Sequence, residues 1–214
     1  MINYGLMAEK VFDLSYFNGR IAVILGSGLG QFSNYLKNQI SISYNDIPGY
    51  PSSTVAGHKG ELVCGRLDNN EIIIANGRFH YYEGYSFQQV TIPIHLFKKL
   101  GIDHLIITNS SGSMNKNFSP GSLMVVKGHM DCTYRNSPNP PVIYSGPPYH
   151  DPGLIDLAFS AAKENGIELK SGNYCWTLGP SYETPAEIKD MINLGGDAVA
   201  VSYTHLTLPT NREV

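Results

Sequence analysis

Polar and aromatic side chains are concentrated in one stretch between two apolar segments, residues 76–85, which read NGRFHYYEGY. The guanidinium of Arg78 offers a planar fork of donors that suits a phosphate or a carboxylate. The imidazole of His80 can add a donor or transfer a proton near neutral pH. A structural interpretation, in which Arg78 pairs with Glu83 on a surface loop and the aromatic rings are core, stays open. The density of donors beside glycines favours an anion-binding site.

A glycine-rich loop, GSGLG at residues 26–30, follows a continuous apolar run. Its exposed amides, the start of a following helix and the Ser27 hydroxyl would suit an anion. A dinucleotide fingerprint is the rival interpretation, but Gln31 stands where its third glycine should be. Asp46 lies near the expected position of the ribose-binding acid, so a nicotinamide-dependent oxidoreductase stays an alternative. A tight turn without a ligand is the third possibility.

Three further polar segments could contribute to a site. His58 lies between glycines in GHKG and is either an exposed loop residue or one directed at a ligand. Ser110 belongs to TNSSGS, which ends a predicted strand, where α/β sheets bind ligands. In GPSYET, Tyr182 could stack on a planar ring and Glu183 could accept hydrogen bonds from ring N–H groups. The alternative for Glu183 is that it complements the dipole of the following helix.

The composition excludes several classes of protein. The 214 residues carry a net charge of −3 and include 42% hydrophobic and 15% charged residues, so no basic face predicts nucleic-acid binding. The apolar runs are too short to span a membrane, and the N-terminus lacks the apolar core of a signal peptide. The three cysteines have no metal-ligand spacing, so we expect free thiols in a cytoplasmic protein without a metal.

Apolar runs that alternate with capped, periodic segments predict an α/β fold. Strands are predicted at residues 20–25, 61–67, 71–75, 104–108, 123–126, 173–178 and 197–200. Helices are predicted at residues 29–37, 86–99, 154–165 and 184–193, and a long loop at 136–153. Pro93 should kink the second helix or delay its start. We expect a single domain in which helices flank a central mixed sheet.

The segments GSGLG, GHKG, GRFHYYEGY, TNSSG and GPSYET occur in the order found in trimeric purine nucleoside phosphorylases. Over about residues 5–200 the chain resembles that family. The resemblance implies the nucleoside phosphorylase type of α/β fold and a cytoplasmic homotrimer that serves purine salvage. It also implies a pentosyltransferase that splits purine nucleosides with inorganic phosphate, giving the free base and ribose 1-phosphate. Phosphate is then a co-substrate, and no metal or organic cofactor is needed.

The resemblance also assigns roles to residues of this chain. The positions that match phosphate ligands of the family are Ser27, His58, Arg78, His80, Ser110 (through its backbone amide) and Ser202. Tyr82 matches an aromatic residue that contacts the sugar, Tyr182 matches one that stacks on the base, and Glu183 matches the carboxylate that holds the purine ring. His80 and Glu183 are therefore the candidate catalytic residues.

From about Val201 the sequence departs from the family pattern. We therefore expect a phosphorylase domain at residues 1–200 and a non-native tail at 201–214, so that Ser202 matches in foreign surroundings. The last quarter of the family pattern, with the asparagine that binds the purine, has no counterpart, and purine preference stays open. Two alternatives also stay open: a methylthioadenosine phosphorylase, and a chain that binds phosphate without turnover.

Overall fold

The computed structural model describes residues 2–52, 59–134 and 139–200. The chain divides into two compact units, with the boundary between Ser110 and Ser111. Within the described ranges, no helix has the length and the apolar character that a membrane crossing requires. His58, Ser202 and the predicted tail at 201–214 lie outside the described residues.

The first unit contains a mixed five-stranded sheet. Its strands are β1 (Ile21–Ile24), β2 (Lys37–Ser43), β3 (Glu61–Leu67), β4 (Asn70–Asn76) and β5 (His104–Ile107). They lie in the order β2-β3-β4-β1-β5. Strand β1 is parallel to both of its neighbours, with Ile24 level with Ala75 of β4 and Ile107 of β5. Three neighbouring parallel strands therefore end at the same edge of the sheet, and a polar loop follows each of them.

The helices of the first unit begin where the local sequence caps them. They are α1 (Tyr4–Ser15), α2 (Phe87–Val90) and α3 (Ile92–Lys99). Asn3 Oδ1 accepts a hydrogen bond from the amide of Leu6 at 3.1 Å. Ser86 and Gln89 form a reciprocal capping box at the start of α2. Pro93 lies in the first turn of α3, where its missing N–H group removes no helical hydrogen bond.

The core of the first unit lies against its central strands. Val23, Val63 and Ile74 form part of a cluster in which each side chain is almost fully buried. Full burial of such a side chain stabilises a protein by roughly 1.5–3 kcal/mol. Strands β1, β3 and β4 are therefore fixed by their packing, and the loops at their ends start from a rigid frame.

The second unit contains another five-stranded mixed sheet. Its strands are β6 (Gly112–Ser113), β7 (Leu123–Asp131), β8 (Tyr144–Ser145), β9 (Leu169–Trp176) and β10 (Ala198–Ala200), and its helices are α4 (Pro152–Glu164) and α5 (Pro185–Asn193). The strand order is β6-β10-β9-β7-β8, with β10, β9 and β7 parallel and the two edge strands antiparallel. Met130 and Cys175 lie in its core with no exposed surface.

The structure confirms the α/β class, with mixed sheets and flanking helices, and distributes the strands over two sheets. The helix predicted at residues 29–37 is wrong: a 3-10 helix at Gly30–Tyr35 leads into β2. The strand predicted at 104–108 is present as β5 but is not buried, because it lies at the sheet edge and leaves Ile106 49% exposed. The predicted loop at 136–153 contains the short strand β8.

Candidate active site

Four predicted phosphate ligands lie in the loops that follow β1, β4 and β5 of the first unit: Ser27, Arg78, His80 and Ser110. Hydrogen bonds join the loop after β1 to the loop after β5. The amide of Gly26 donates to Thr108 Oγ1 at 2.9 Å, and Ser110 Oγ donates to the carbonyl oxygen of Ser27 at 3.2 Å. The carboxyl ends of three parallel strands thus present these residues together, at the edge where α/β sheets bind ligands.

Close approach of two backbone segments explains the first glycine of the GSGLG loop. A Cβ atom at Gly26 would lie 2.6 Å from Asn109 Cα and 2.6 Å from the carbonyl oxygen of Thr108. Backbone atoms on both sides cannot yield as the end of a side chain can, so only glycine fits here. Gly28 needs glycine for another reason, since its φ of +86° lies in the left-handed region.

Arg78 is held by protein groups although it carries a full charge inside the unit. Arg78 is only 2% exposed to solvent. Nη1 donates to the carbonyl oxygen of Thr108 at 2.8 Å, and Nε donates to Nε2 of His80 at 3.4 Å. The surface-loop interpretation of Arg78 is therefore wrong. A buried guanidinium forms strong charge-assisted hydrogen bonds, so this position suits a bound anion.

Glu83 holds His80 through two hydrogen bonds to one carboxylate oxygen. Oε1 accepts from the backbone amide of His80 at 2.7 Å and lies 2.8 Å from the ring Nδ1. Both side chains are 4% exposed. Donation from Nδ1 to the carboxylate fits the tautomer in which Nε2 accepts from Arg78. The same carboxylate can stabilise a positive charge on the ring when Nε2 takes up a proton to donate to an anion.

The aromatic residues of the NGRFHYYEGY segment divide into two groups. Phe79 is buried and contacts the rings of Tyr44, Tyr50 and Tyr85, so the core interpretation holds for this residue. Tyr82 instead stacks on His80, with ring centroids 4.8 Å apart and planes at 15°, and it stays 40% exposed. Burial, followed by the charge of Glu83, raises the pKa of Tyr82, so its hydroxyl remains a donor at neutral pH.

The remaining predicted residues belong to the second unit, in the connection between β9 and α5. Tyr182 is 96% exposed, so its ring is available for stacking. Oε1 of Glu183 accepts a hydrogen bond from the hydroxyl of Thr177 at 2.7 Å. The start of α5 is capped by a different pair, since Thr184 and Glu187 form a reciprocal capping box. Glu183 therefore takes no part in the capping box, and its alternative role as a partner of the helix dipole stays open.

The dinucleotide-binding alternative is wrong on structural grounds. That motif requires an α-helix after the glycine loop and an acidic residue at the end of the next parallel strand. Here a six-residue 3-10 helix follows the loop. The next strand, β2, pairs antiparallel with β3, and Asp46 lies in the 3-10 helix Tyr44–Asp46.

Sequence reasoning did not predict the hydrogen-bond partners of three residues that shape these loops. Glu83 was considered as a partner of Arg78, whereas its position three residues after His80 was a capping-box signal at the short 3-10 helix. Thr108 follows β5 and its hydroxyl accepts from the amide of Gly26, and Thr177 follows β9 and its hydroxyl donates to Glu183. Only the folded chain reveals these partners. In residues 2–52, 59–134 and 139–200, no group of three or more His, Cys, Asp or Glu side chains is arranged to hold a metal.

Comparison with known families assigns the class of protein. A sequence model of the phosphorylase superfamily matches residues 20–202. This match includes the strands and the loops that carry Ser27, Arg78, His80, Ser110 and Glu183. The chain therefore belongs to the phosphorylase superfamily.

Similarity to individual relatives identifies the family within this superfamily. The chain is 42% identical over 190 residues to purine nucleoside phosphorylase 1 of Geobacillus stearothermophilus, covering 86% of this chain and 69% of the relative. A purine nucleoside phosphorylase solved with ribose 1-phosphate has a TM-score of 0.85 at 33% identity, covering 94% of this chain and 78% of the other. A schistosome purine nucleoside phosphorylase solved with hypoxanthine has a TM-score of 0.84 at 33% identity, covering 94% and 75%. The chain belongs to the purine nucleoside phosphorylase family.

Proposed function

We propose that the chain catalyses the phosphorolysis of purine nucleosides, in which inorganic phosphate replaces the purine on the sugar and leaves ribose 1-phosphate. The observation that carries the proposal is the buried group Arg78, His80 and Glu83 at the carboxyl ends of three parallel strands. Relatives solved with ribose 1-phosphate and with hypoxanthine support both products of the reaction.

Phosphate binding is assigned to the first unit. Arg78 offers the planar donor fork that a phosphate matches, and Nε2 of His80 becomes a second donor when it is protonated beside Glu83. Ser27 and the backbone amide of Ser110 add uncharged donors from the exposed ends of their loops. His58 and Ser202 complete the proposed set, although both lie outside the described residues.

Sugar and base recognition involves other residues. The hydroxyl of Tyr82 is a suitable partner for the ribose, since its ring is fixed by stacking on His80. Tyr182 offers an exposed face for the purine ring. Glu183, as an acceptor, suits the N–H groups of the same ring. A 6-oxopurine carries such an N–H group, and an adenine ring offers a lone pair at that position.

The chemistry needs positioning more than deprotonation. Cleavage of a glycosidic bond passes through a sugar with oxocarbenium character. Phosphate is already an anion, so the protein must hold it below the anomeric carbon and stabilise the charge that develops on the departing purine. Arg78 and His80 serve the first task in this proposal. Glu183 holds the ring by accepting from its N–H group, and a separate donor must protonate the departing base. No step requires a metal or an organic cofactor, and phosphate acts as a co-substrate.

The cellular setting is part of the proposal. Three free thiols, Cys64, Cys132 and Cys175, suit a reducing compartment and therefore a cytoplasmic enzyme of purine salvage. The homotrimer is proposed from the resemblance to trimeric purine nucleoside phosphorylases, and exposed apolar side chains of the second unit, among them Val142 at 59% and Ile143 at 40%, suit association with another copy. The division into a phosphorylase domain at residues 1–200 and a non-native tail stays a prediction.

Release of base from inosine and guanosine, with and without phosphate, tests the function. Hypoxanthine and guanine should appear only when phosphate is present, and ribose 1-phosphate should appear in equal amount. Equal release without phosphate would point to a hydrolase and contradict the proposal. Methylthioadenosine serves as the comparison substrate, because a preference for it would favour the related phosphorylase. Phosphate binding without release of base would favour a chain that binds but does not turn over.

A further inference from the structure

Thr177 presents its hydroxyl to Glu183 from a rigid part of the second unit. It directly follows β9, and its backbone amide donates to the carbonyl oxygen of Ala200 on β10 at 3.3 Å. The preceding residue, Trp176, is only 6% exposed and anchors the end of the strand. From this position Thr177 Oγ1 donates to Oε1 of Glu183 at 2.7 Å. A fixed strand end therefore restrains a side chain that itself lies on a loop.

Among the described residues, Thr177 is the hydrogen-bond partner of the Glu183 carboxylate. A glutamate side chain has several rotatable bonds, and ordering it for a ligand has an entropic cost. Glu183 is half-buried, and its neighbour Tyr182 is 96% exposed, so the Tyr182 ring contributes little packing to it. The capping box of α5 uses Glu187 and not Glu183. The hydrogen bond from Thr177 is thus the contact by which the described part of the chain orients this carboxylate.

We propose that Thr177 is a positioning residue for purine recognition, which holds Glu183 ready for the base. The proposal rests on the proposed role of Glu183 as the carboxylate that grips the purine ring. A threonine hydroxyl has one proton, and Thr177 gives it to Oε1. Oε2 and the second lone pair of Oε1 then remain to accept from a ligand. The site accordingly takes a purine whose six-membered ring carries N–H donors.

The decisive variants change one atom group at a time. Thr177→Val keeps the shape and removes the donor, and Thr177→Ser keeps the donor. Thr91→Val is the matched control, because Thr91 Oγ1 donates to the carbonyl oxygens of Phe87 and Gln88 at 3.1 Å in the first unit. Steady-state kinetics with inosine and calorimetric binding of hypoxanthine in the presence of phosphate give two readouts.

Thr177→Val should raise KM for inosine and Kd for hypoxanthine by about tenfold. The reason is that Glu183, which binds the purine, would lose the hydrogen bond that orients its charged carboxylate. KM for phosphate should stay within about twofold, and Thr177→Ser should restore wild-type values. Thr91→Val should behave as the wild type in both readouts. Thermal unfolding followed by circular dichroism checks that Thr177→Val is folded at the assay temperature.

A double-mutant cycle separates positioning from a purely structural role. If Thr177 acts through Glu183, then Thr177→Val should add little to Glu183→Gln, because the coupled interaction is already lost. An undiminished effect of Thr177→Val in the Glu183→Gln background would overturn the proposal. An inosine KM that is unchanged in Thr177→Val while Glu183→Gln is impaired would also overturn the proposal. In that case the proposed function would still stand. If Glu183→Gln itself changes neither readout, the proposed role of Glu183 is what fails.

Discussion

His80 and Glu83 form a closed pair in which one carboxylate oxygen, Oε1 of Glu83, contacts both the backbone amide and the ring Nδ1 of His80, at 2.7 Å and 2.8 Å. The ring can therefore neither rotate nor flip without losing a charge-assisted hydrogen bond. Nε2 is left facing Nε of Arg78 at 3.4 Å. This arrangement makes His80, the N-cap residue of the 3-10 helix Tyr81–Glu83, a fixed group beside a buried guanidinium.

The first prediction concerns the charge of Glu83. Glu83→Gln keeps an acceptor for the His80 amide but removes the negative charge that favours a protonated ring. We expect KM for phosphate to rise by about tenfold, with KM for inosine nearly unchanged, since a hydrogen bond to a charged group contributes about 1.5–3 kcal/mol. Initial rates over a phosphate series measure this effect. Glu71→Gln is the control, because Glu71 contacts the Asn18 amide, at 3.3 Å, and neither His80 nor Arg78 by any recorded hydrogen bond.

A different result would change the assignment. If Glu83→Gln raised KM for inosine and left phosphate unaffected, Glu83 would belong to sugar or base recognition, and the first-unit loops would lose their proposed role in binding phosphate.

The second prediction concerns Arg78. Arg78→Lys retains a positive charge but loses the planar fork and its contact with the Thr108 carbonyl oxygen. We expect KM for phosphate to rise by roughly 10- to 100-fold, and Arg78→Ala to be at least as impaired. Arg66→Ala is the control, because Arg66 is exposed and contacts the carbonyl oxygen of Asn69 at 3.4 Å. Normal phosphate dependence in both Arg78 variants would show that another group binds the anion.

The third prediction compares two glycines of one loop. Gly26→Ala would place a Cβ atom 2.6 Å from backbone atoms of Thr108 and Asn109, whereas a Cβ atom at Gly28 meets nothing within 4 Å and is disfavoured only by φ. We expect Gly26→Ala to lower the free energy of unfolding by about 2–3 kcal/mol and Gly28→Ala by about 1 kcal/mol. Urea denaturation measures both. Equal losses would indicate that strain at Gly28, and not the close approach at Gly26, dominates.

Features that depend on residues close in sequence could be predicted. Features that depend on contacts between distant parts of the chain could not. The capping boxes at Ser86 and Thr184 depend on residues three positions apart, so the helix starts could be predicted from the sequence. Strand β2 could not, because the run Lys37–Ser43 becomes a strand through pairing with β3. The exposure of Ile106 likewise follows from the edge position of β5, which apolar composition does not reveal. Helix α1 had a usable signal in Asn3 with Met7 and Val11 on one face, and sequence analysis missed it.

The sequence predicted the side chains of the candidate site more completely than it predicted their hydrogen-bond partners. The residue types in GRFHYYEGY indicate an anion site, because arginine and histidine are few in the chain and here lie close together in a segment with glycines. Which atom Glu83 contacts depends on how the loop folds back over His80. Thr177 was not singled out at all, since an isolated threonine after a strand has no distinguishing spacing.

The last prediction concerns pH and the buried pair His129 and His150. Nδ1 of His129 lies 3.0 Å from Nε2 of His150, and both residues are 8% exposed. One ring must donate and the other accept, so the bond requires at least one neutral ring. Burial lowers the pKa of His150 below its ordinary value of 6.5. Between that lowered pKa and about 6.5, the unfolded chain binds more protons than the native one, so stability falls as the pH decreases through this window and is flat above it.

Urea unfolding at intervals from about pH 5 to pH 8 measures this dependence in the wild type and in His150→Gln. A glutamine amide can reach the position of Nε2 and does not titrate, so the variant should lose less stability than the wild type below about pH 6.5. His104→Gln is the control for replacing a histidine outside this pair, because His104 is exposed on the edge strand β5 of the first unit. Identical slopes for the wild type and His150→Gln would show that His150 is protonated equally in the folded and unfolded chains, and that the acid sensitivity of the second unit has another origin.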